Sequence, residues 1–314
     1  MNTEKNRIPV WLDCDTGTDD SVAIMLAHAS KELEIKGISA VCGNTCLDNA
    51  FYNTHRICGL IGASYPVFRG AEKPLLRELK FAAAFHGANG IGDVSLPVPE
   101  DAVIRAEKAW DALYECAAAN KGNLRLVATG PLTNIATAFI KYPDLPSMLH
   151  SVLIMGGAAS GGNVTPCAEF NIYADYHAAD IVFRRTEKVY MFGLDVTLQG
   201  YFTQEDLEEL KATGHRCGVF THDCLQKAMA SLTALGLPGV AMHDSCPVMY
   251  LVHPEMFETE EAGVVVETRG SVTNGKTVTD LFSDKQFPFR NAVVGLKLDR
   301  GAFIGCLKEA ILSI

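Results

Sequence analysis

Ile8-Pro9-Val10-Trp11-Leu12-Asp13-Cys14-Asp15-Thr16-Gly17-Thr18-Asp19-Asp20 is the stretch on which the fold turns. The apolar run from Ile8 to Leu12 stops at Asp13 and reads as a buried first strand. Gly17 permits a tight turn, and Asp19 opens a helix that runs to Ser30. Four carboxylates fall within eight residues. Asp13 and Asp15, two apart at a strand end, share a face. Asp19 and Asp20 lie where the free N–H groups of a helix start favour negative charge. A solvated helix cap with surplus acids is the plain reading. Four converging carboxylates, however, repel one another unless a cation or a proton compensates. Oxygen donors without His or Cys point to Ca²⁺ or Mg²⁺ rather than zinc.

The same strand-then-helix rhythm continues along the chain. Strands are expected at Ile35–Val41, Leu124–Ala128, Ser151–Met155 and Lys188–Phe192, and helices at Asp48–Ile61, 131–140 and Asp175–Arg184. Pro131 suits a first helical position. This alternation implies an α/β fold: an open, mostly parallel sheet flanked by helices, Rossmann-like. Residues 204–235 read as a mainly helical insertion, 263–281 as a small C-terminal hairpin, and 301–312 as a closing helix. The whole of 1–314 is expected to form one domain. In such sheets ligands sit beyond the carboxyl ends of the strands. The polar, glycine-containing segments Asp13–Asp20, Cys42–Thr45, Thr129–Asn134 and Gly156–Asn171 all fall there.

Composition narrows the function. With 27 Lys+Arg against 37 Asp+Glu the formal net charge is −10. That balance argues against nucleic acid or an anionic membrane surface as the main partner. No apolar run approaches the ~18 residues of a membrane span. The N-terminal run lacks a small-residue cleavage site, so a cytoplasmic protein is expected. The 10 cysteines are expected to be reduced thiols. Cys42 and Cys46, the nearest pair, have no second pair to complete a zinc site.

Asp13–Asp20 resembles the amino-terminal motif of the nucleoside hydrolases of the inosine–uridine preferring type, although that family usually has Pro where this chain has Thr16. Further segments agree in order and spacing over nearly the whole chain. They are Val41-Cys42-Gly43-Asn44-Thr45, His86-Gly87-Ala88-Asn89-Gly90, Thr129-Gly130-Pro131-Leu132-Thr133-Asn134 and Met155-Gly156-Gly157. Gly162-Asn163 follows with Ala168-Glu169-Phe170-Asn171, then Gly193-Leu194-Asp195-Val196-Thr197 and Met242-His243-Asp244. The likeness is nearest to the broad-specificity ribonucleoside hydrolases of bacteria.

The resemblance implies hydrolysis of a ribonucleoside to ribose and free base through an oxocarbenium-like transition state. It implies Ca²⁺ held by Asp15, Asp20, the carbonyl of Thr129 and Asp244, with Asp15 as general base. A carbonyl ligand at a strand end is reasonable, because the sheet itself offers it no partner there. Asp19, Asn44 and Asn171 match ribose contacts. Asn163 and Glu169 match contacts to the 5′-hydroxyl, and Met155 and Phe170 supply apolar surface beside the sugar. His243 is the candidate acid for the leaving base, and His86 a candidate base contact. Ser245 stands where many relatives have Pro. Base selectivity is expected in the 215–240 region. A homotetramer or homodimer, and a role in nucleoside salvage, follow from the resemblance alone.

His222-Asp223 repeats the His-Asp dipeptide without a partner motif and reads as a solvated helical pair. Gly270-Ser271-Val272-Thr273-Asn274-Gly275-Lys276-Thr277 fits the P-loop pattern literally. A P-loop needs a helix after the lysine, whereas Val278-Thr279-Asp280 is β-like and Asn274-Gly275 marks a hairpin turn. Two rivals stand beside the hydrolase. One is a phosphatase of the haloacid-dehalogenase type, with Asp13 as nucleophile and Asp15 as acid/base. Its motif wants Thr or Val where this chain has Gly17. The other is a non-catalytic, calcium-dependent nucleoside-binding protein on the same fold.

Overall fold

The structure is a computed structural model describing residues 7–78 and 81–314. Strand β1 (Ile8–Cys14) is flanked by β2 (Leu33–Ala40), and β3 (Val67–Arg69) and β4 (Ile104–Lys108) extend the sheet to one edge. On the other side of β1 lie β5 (Arg125–Ala128), β6 (Ser151–Met155) and β7 (Val189–Phe192). A separate two-stranded pair joins β8 (Tyr201–Phe202) to β9 (Val240–Ala241). Three later strands, β10 (Phe257–Val266), β11 (Thr277–Asp280) and β12 (Ala292–Leu298), close the large sheet. Its order is β11-β10-β12-β7-β6-β5-β1-β2-β3-β4. Every pairing from β4 through to β12 is parallel, and β10 alone is reversed, antiparallel to both β12 and β11.

Val10, Trp11 and Leu12 of β1 are all enclosed, as expected of a parallel strand covered on both faces. Trp11 stacks on Phe68 of β3 at 5.2 Å and donates its indole N–H to Ser39 of β2 at 2.9 Å. The helix that follows, Thr18–Ala29, is buried on all sides from Thr18 to Ala27. A helix apolar all round belongs in a core, and this one packs beneath helices Ser245–Val252 and Arg300–Leu312.

Most expected elements are present within two residues. Pro131 is a correction: the helix begins at Thr133, two residues on. A carbonyl at Pro131 already accepts from the Thr133 N–H, so the chain turns before it winds. The hairpin at 263–281 also differs. It forms the antiparallel rim of the main sheet, Gly263 opposite Asp280 and Val266 opposite Thr277. Asn274-Gly275 is the end of a longer loop, not a two-residue turn. Gly275 takes φ +79° and its N–H reaches the carbonyl of Glu267. Within 204–235 the expected helices appear as Gln204–Ala212 and Arg216–Ala234, and the β8–β9 pair closes their base.

Candidate active site

The carboxyl ends of β1, β2, β5 and β6 meet at one place, and the acidic cluster sits there. Asp13, Asp15 and Asp20 are fully enclosed and Asp19 nearly so. Asp13 belongs beneath the site. Its Oδ1 accepts from Ser39 and, at 2.7 Å, from the Asn134 side chain. So held, without solvent access, it is unsuited to act as a phosphatase nucleophile. Burial lifts its carboxyl to about 7 against those two hydrogen bonds.

Asp15 has one oxygen tied and one loose. Its Oδ2 accepts the Asn44 N–H at 2.5 Å, whereas Oδ1 has no partner. A Cβ at Gly43 would overlap this carboxylate, and one at Gly130 would press on it. Asp20 is the best anchored. The Gly17 N–H reaches its Oδ2 at 2.8 Å, and the Thr129 hydroxyl reaches its Oδ1 at 2.7 Å. Asp244 arrives from the far end of the chain, one residue ahead of helix Ser245–Val252. Carboxylate oxygens of Asp19, Asp20 and Asp244 lie within 4.8 Å of one another.

These groups cannot all carry charge in a dry site. Burial first, then the charge of Asp20, raises Asp15 far above the ordinary carboxylate range. The same two causes bring Asp19 to about 7, and burial with the Asp19 charge drives Asp244 well up. A hard divalent cation removes this conflict. The donors are all oxygen, and Asp15 Oδ1 and Asp19 Oδ1 are both buried without partners, so the residues fit such an ion. The triad includes Asp19, which the resemblance gave to ribose. The Thr129 carbonyl, at the end of β5, has a side-chain partner. It accepts from the Asn171 side chain at 2.7 Å, leaving one lone pair.

The remaining expected residues ring this cluster. Asn44 adds its side-chain N–H toward Asp20 at 3.4 Å. Asn171 also reaches the carbonyl of Met155, which is buried beside Ala158 and Leu194. Glu169 is deeply engaged: its two oxygens accept the N–H groups of Gly157, Asn171 and Ile172 at 2.9, 2.8 and 3.1 Å. It caps helix Phe170–Ala174 and fixes the turn after β6. Burial raises it to about 7. Asn163 is exposed and accepts the N–H of the half-buried Phe170 at 2.9 Å.

His86 and His243 face the cluster from two sides, close enough for the charge on one to disfavour charge on the other. Burial holds both rings down at about 4, so each is neutral at pH 7. His243 Nδ1 meets the Thr197 hydroxyl at 2.7 Å, and His86 Nδ1 accepts the Thr18 N–H at 3.3 Å.

Sequence reasoning missed several supports. Asp195 accepts the N–H groups of Ala159 and Ser160. Lys276, the lysine of the P-loop-like string, donates to the carbonyls of Ala158 and Ala159 at 2.9 Å each. No helix follows it; Thr277 starts β11. His222 is not a solvated residue. It is buried, with Asp223 at 2.6 Å and Glu208 at 3.3 Å joining the two helices of the insertion. All ten cysteines are free thiols. Among the described residues no helix is long and apolar enough to cross a membrane.

A strand-to-helix acid cluster at the carboxyl edge of a parallel sheet, completed by a late aspartate and flanked by two neutral histidines, suits metal-assisted hydrolysis. Comparison agrees. Residues 10–305 match the family model described as inosine-uridine preferring nucleoside hydrolase. The chain is 39% identical over 308 residues to the pyrimidine-specific ribonucleoside hydrolase RihA of Citrobacter koseri, covering 97% of this chain and 98% of that one. A solved purine-preferring ribonucleoside hydrolase from Gardnerella vaginalis superposes with TM-score 0.90 at 32% identity, covering 97% and 98% of the two chains. A solved inosine-guanosine nucleoside hydrolase gives 0.88 at 28% identity, with 97% and 98% covered. The chain belongs to the inosine-uridine preferring nucleoside hydrolase family. It is an enzyme that hydrolyses the N-glycosidic bond of ribonucleosides.

Proposed function

We propose that Asp15 is the general base of this hydrolysis and that Ca²⁺ is the ion of the acidic cluster, held by Asp15, Asp20, the Thr129 carbonyl and Asp244. The observation that carries the reading is the meeting of Asp19, Asp20 and Asp244 beside the unpartnered Oδ1 of Asp15. When bound, the ion supplies charge that acidifies a water molecule and orients ribose hydroxyls. Asp15 takes the proton on Oδ1 while the Asn44 N–H keeps Oδ2 in place. Asp19, Asn44 and Asn171 hold the ribose hydroxyls, and Met155 and Phe170 cover its apolar face. Asn163 and Glu169 address the 5′-hydroxyl. His86 contacts the base. His243, neutral at rest, donates a hydrogen bond to the departing base that strengthens as negative charge builds there.

The domain spans 1–314 with the helical insertion at 204–235 over the base end. The protein acts in the cytoplasm in nucleoside salvage as a homotetramer or homodimer. Free-ribose release from uridine and from inosine tests the activity and ranks the two bases. The names of the relatives, pyrimidine-specific and purine-preferring, make that ranking the informative measurement.

Two outcomes follow. Nucleoside 5′-monophosphates are hydrolysed poorly. A 5′-phosphate carries about −1.5 to −2 charges and would meet the Glu169 carboxylate with no cationic partner among the proposed contacts. Equal kcat/KM for inosine and its 5′-monophosphate would overturn the 5′-end assignment. His243→Ala slows uridine or inosine at least ~10-fold more than p-nitrophenyl riboside, whose leaving group needs little protonation. Equal losses on both would leave His243 a structural role only.

A further inference from the structure

We infer that Thr197 is a positioning residue that fixes His243 as the Nε2–H tautomer, so that the ring offers a donor, not an acceptor, to the leaving base. The inference rests on the leaving-group reading of His243 and adds what sets it.

Thr197 ends the short helix Leu194–Thr197 after β7 and has no exposed surface. Its hydroxyl meets His243 Nδ1 at 2.7 Å. Among the described residues it has no other hydrogen-bond partner. A hydroxyl carries a single hydrogen and can also accept. If Nδ1 held the ring proton, it would donate to Oγ1, and the hydroxyl hydrogen would be sealed in the interior without an acceptor. Buried donors left in that state are strongly disfavoured. With the proton on Nε2, the hydroxyl donates to Nδ1, and both of these buried groups are satisfied. The partner of Nδ1 therefore dictates the function of the opposite nitrogen.

His86 shows a similar arrangement. Its Nδ1 meets the Thr18 hydroxyl at 3.1 Å and the Thr18 N–H at 3.3 Å. The amide can only donate, which favours Nδ1 as acceptor and hydrogen on Nε2. Both rings beside the cluster are thus set as donors. A departing nucleobase gains electron density on its ring nitrogens and carbonyl oxygens. An acceptor nitrogen turned toward it would oppose departure; a donor assists it.

Thr197→Val keeps the shape and deletes the hydroxyl, while Thr197→Ser restores it. Thr197→Val is expected to lose at least ~10-fold in kcat/KM on uridine or inosine. The loss should fall in kcat, with p-nitrophenyl riboside changed by less than about 2-fold and Thr197→Ser close to the parent on both. Nitrogen-15 spectra of the imidazoles read the tautomer directly: Nε2–H in the parent and in Thr197→Ser, a mixture in Thr197→Val. A Thr197→Val enzyme that keeps parental turnover on uridine and inosine, or whose His243 stays wholly Nε2–H, overturns the inference. Equal losses of Thr197→Val on the nucleosides and on p-nitrophenyl riboside overturn it as well, since that is the result of a packing defect. The two readings fail separately. Selective loss in His243→Ala with a silent Thr197→Val defeats the tautomer inference alone. Non-selective loss in His243→Ala defeats the leaving-group reading, while the spectra still decide the tautomer.

Discussion

Asp15→Asn is expected to lower kcat at least ~10²-fold, the low end for loss of a general base. The change is nearly isosteric and keeps an oxygen for the Asn44 N–H that now meets Oδ2. What it removes is the proton acceptor at Oδ1, which has no hydrogen-bond partner. Asp19 and Asp20 are close in space, but Asp20 is occupied by the Gly17 N–H and the Thr129 hydroxyl. Asp20 cannot take over without leaving its place. The cation-free variant should also be no less stable than the cation-free parent near pH 8, because an amide replaces a buried carboxyl crowded by like charges. Steady-state turnover and thermal unfolding measure the two. A variant with bound Ca²⁺ and near-parental kcat would remove Asp15 from its proposed role.

The second large effect is on stability when the ion is stripped. Burial lifts Asp13 and Asp19 to about 7 in the folded protein, against an ordinary 3.8, and also holds Asp15 and Asp244 well above their ordinary value. Raised values mean that the folded state holds protons the unfolded state releases. Stability is therefore greatest below the ordinary carboxylate value and declines as pH rises toward the folded values. Stripped protein is expected to lose Tm steadily between about pH 5 and pH 8. Ca²⁺ at pH 8 reverses the loss, since a ligand at 100 times its Kd adds about 2.7 kcal/mol to the folded state. Asp20→Ala, lacking the best-anchored carboxylate, should show neither bound Ca²⁺ nor a Tm response to it. A flat Tm across this range in stripped protein, or zinc in place of calcium by elemental analysis, would contradict the assignment.

The central strands were legible because burial on both faces produces unbroken apolar runs. β6 was expected at the residues where it lies, Ser151–Met155. The short edge strands were not. β4 is exposed at every residue, so it bears no burial pattern, and β3 has three residues. β12 was missed because Gly295 and Lys297 break its apolar run. The acidic cluster could be read because Asp15, Asp19 and Asp20 fall within six residues. Asp244 came from resemblance, since no local pattern announces a residue that joins a site across the fold. Glu169 shows the limit of matching a motif. Its position was expected, but its three backbone N–H partners were not. Thr197 lay within a quoted segment with no role, because a hydroxyl aimed at a ring nitrogen has no signature in one dimension.

Asp244 bears on how the molecule is made. Asp15, Asp19 and Asp20 leave the ribosome early, but the fourth carboxylate follows more than two hundred residues later. Lys276, which ties down the loop after β6, comes later still. Until then the emerging chain carries three crowded acids without the partner that completes their cage. Contacts so far apart in sequence are slow to form, and unfinished parallel sheets are prone to stick to one another. Ion capture is therefore a late event in biogenesis, and it serves as a check that the last quarter of the polypeptide has docked. A translation product halted before residue 244 would carry the family's opening motif yet be unable to retain its metal.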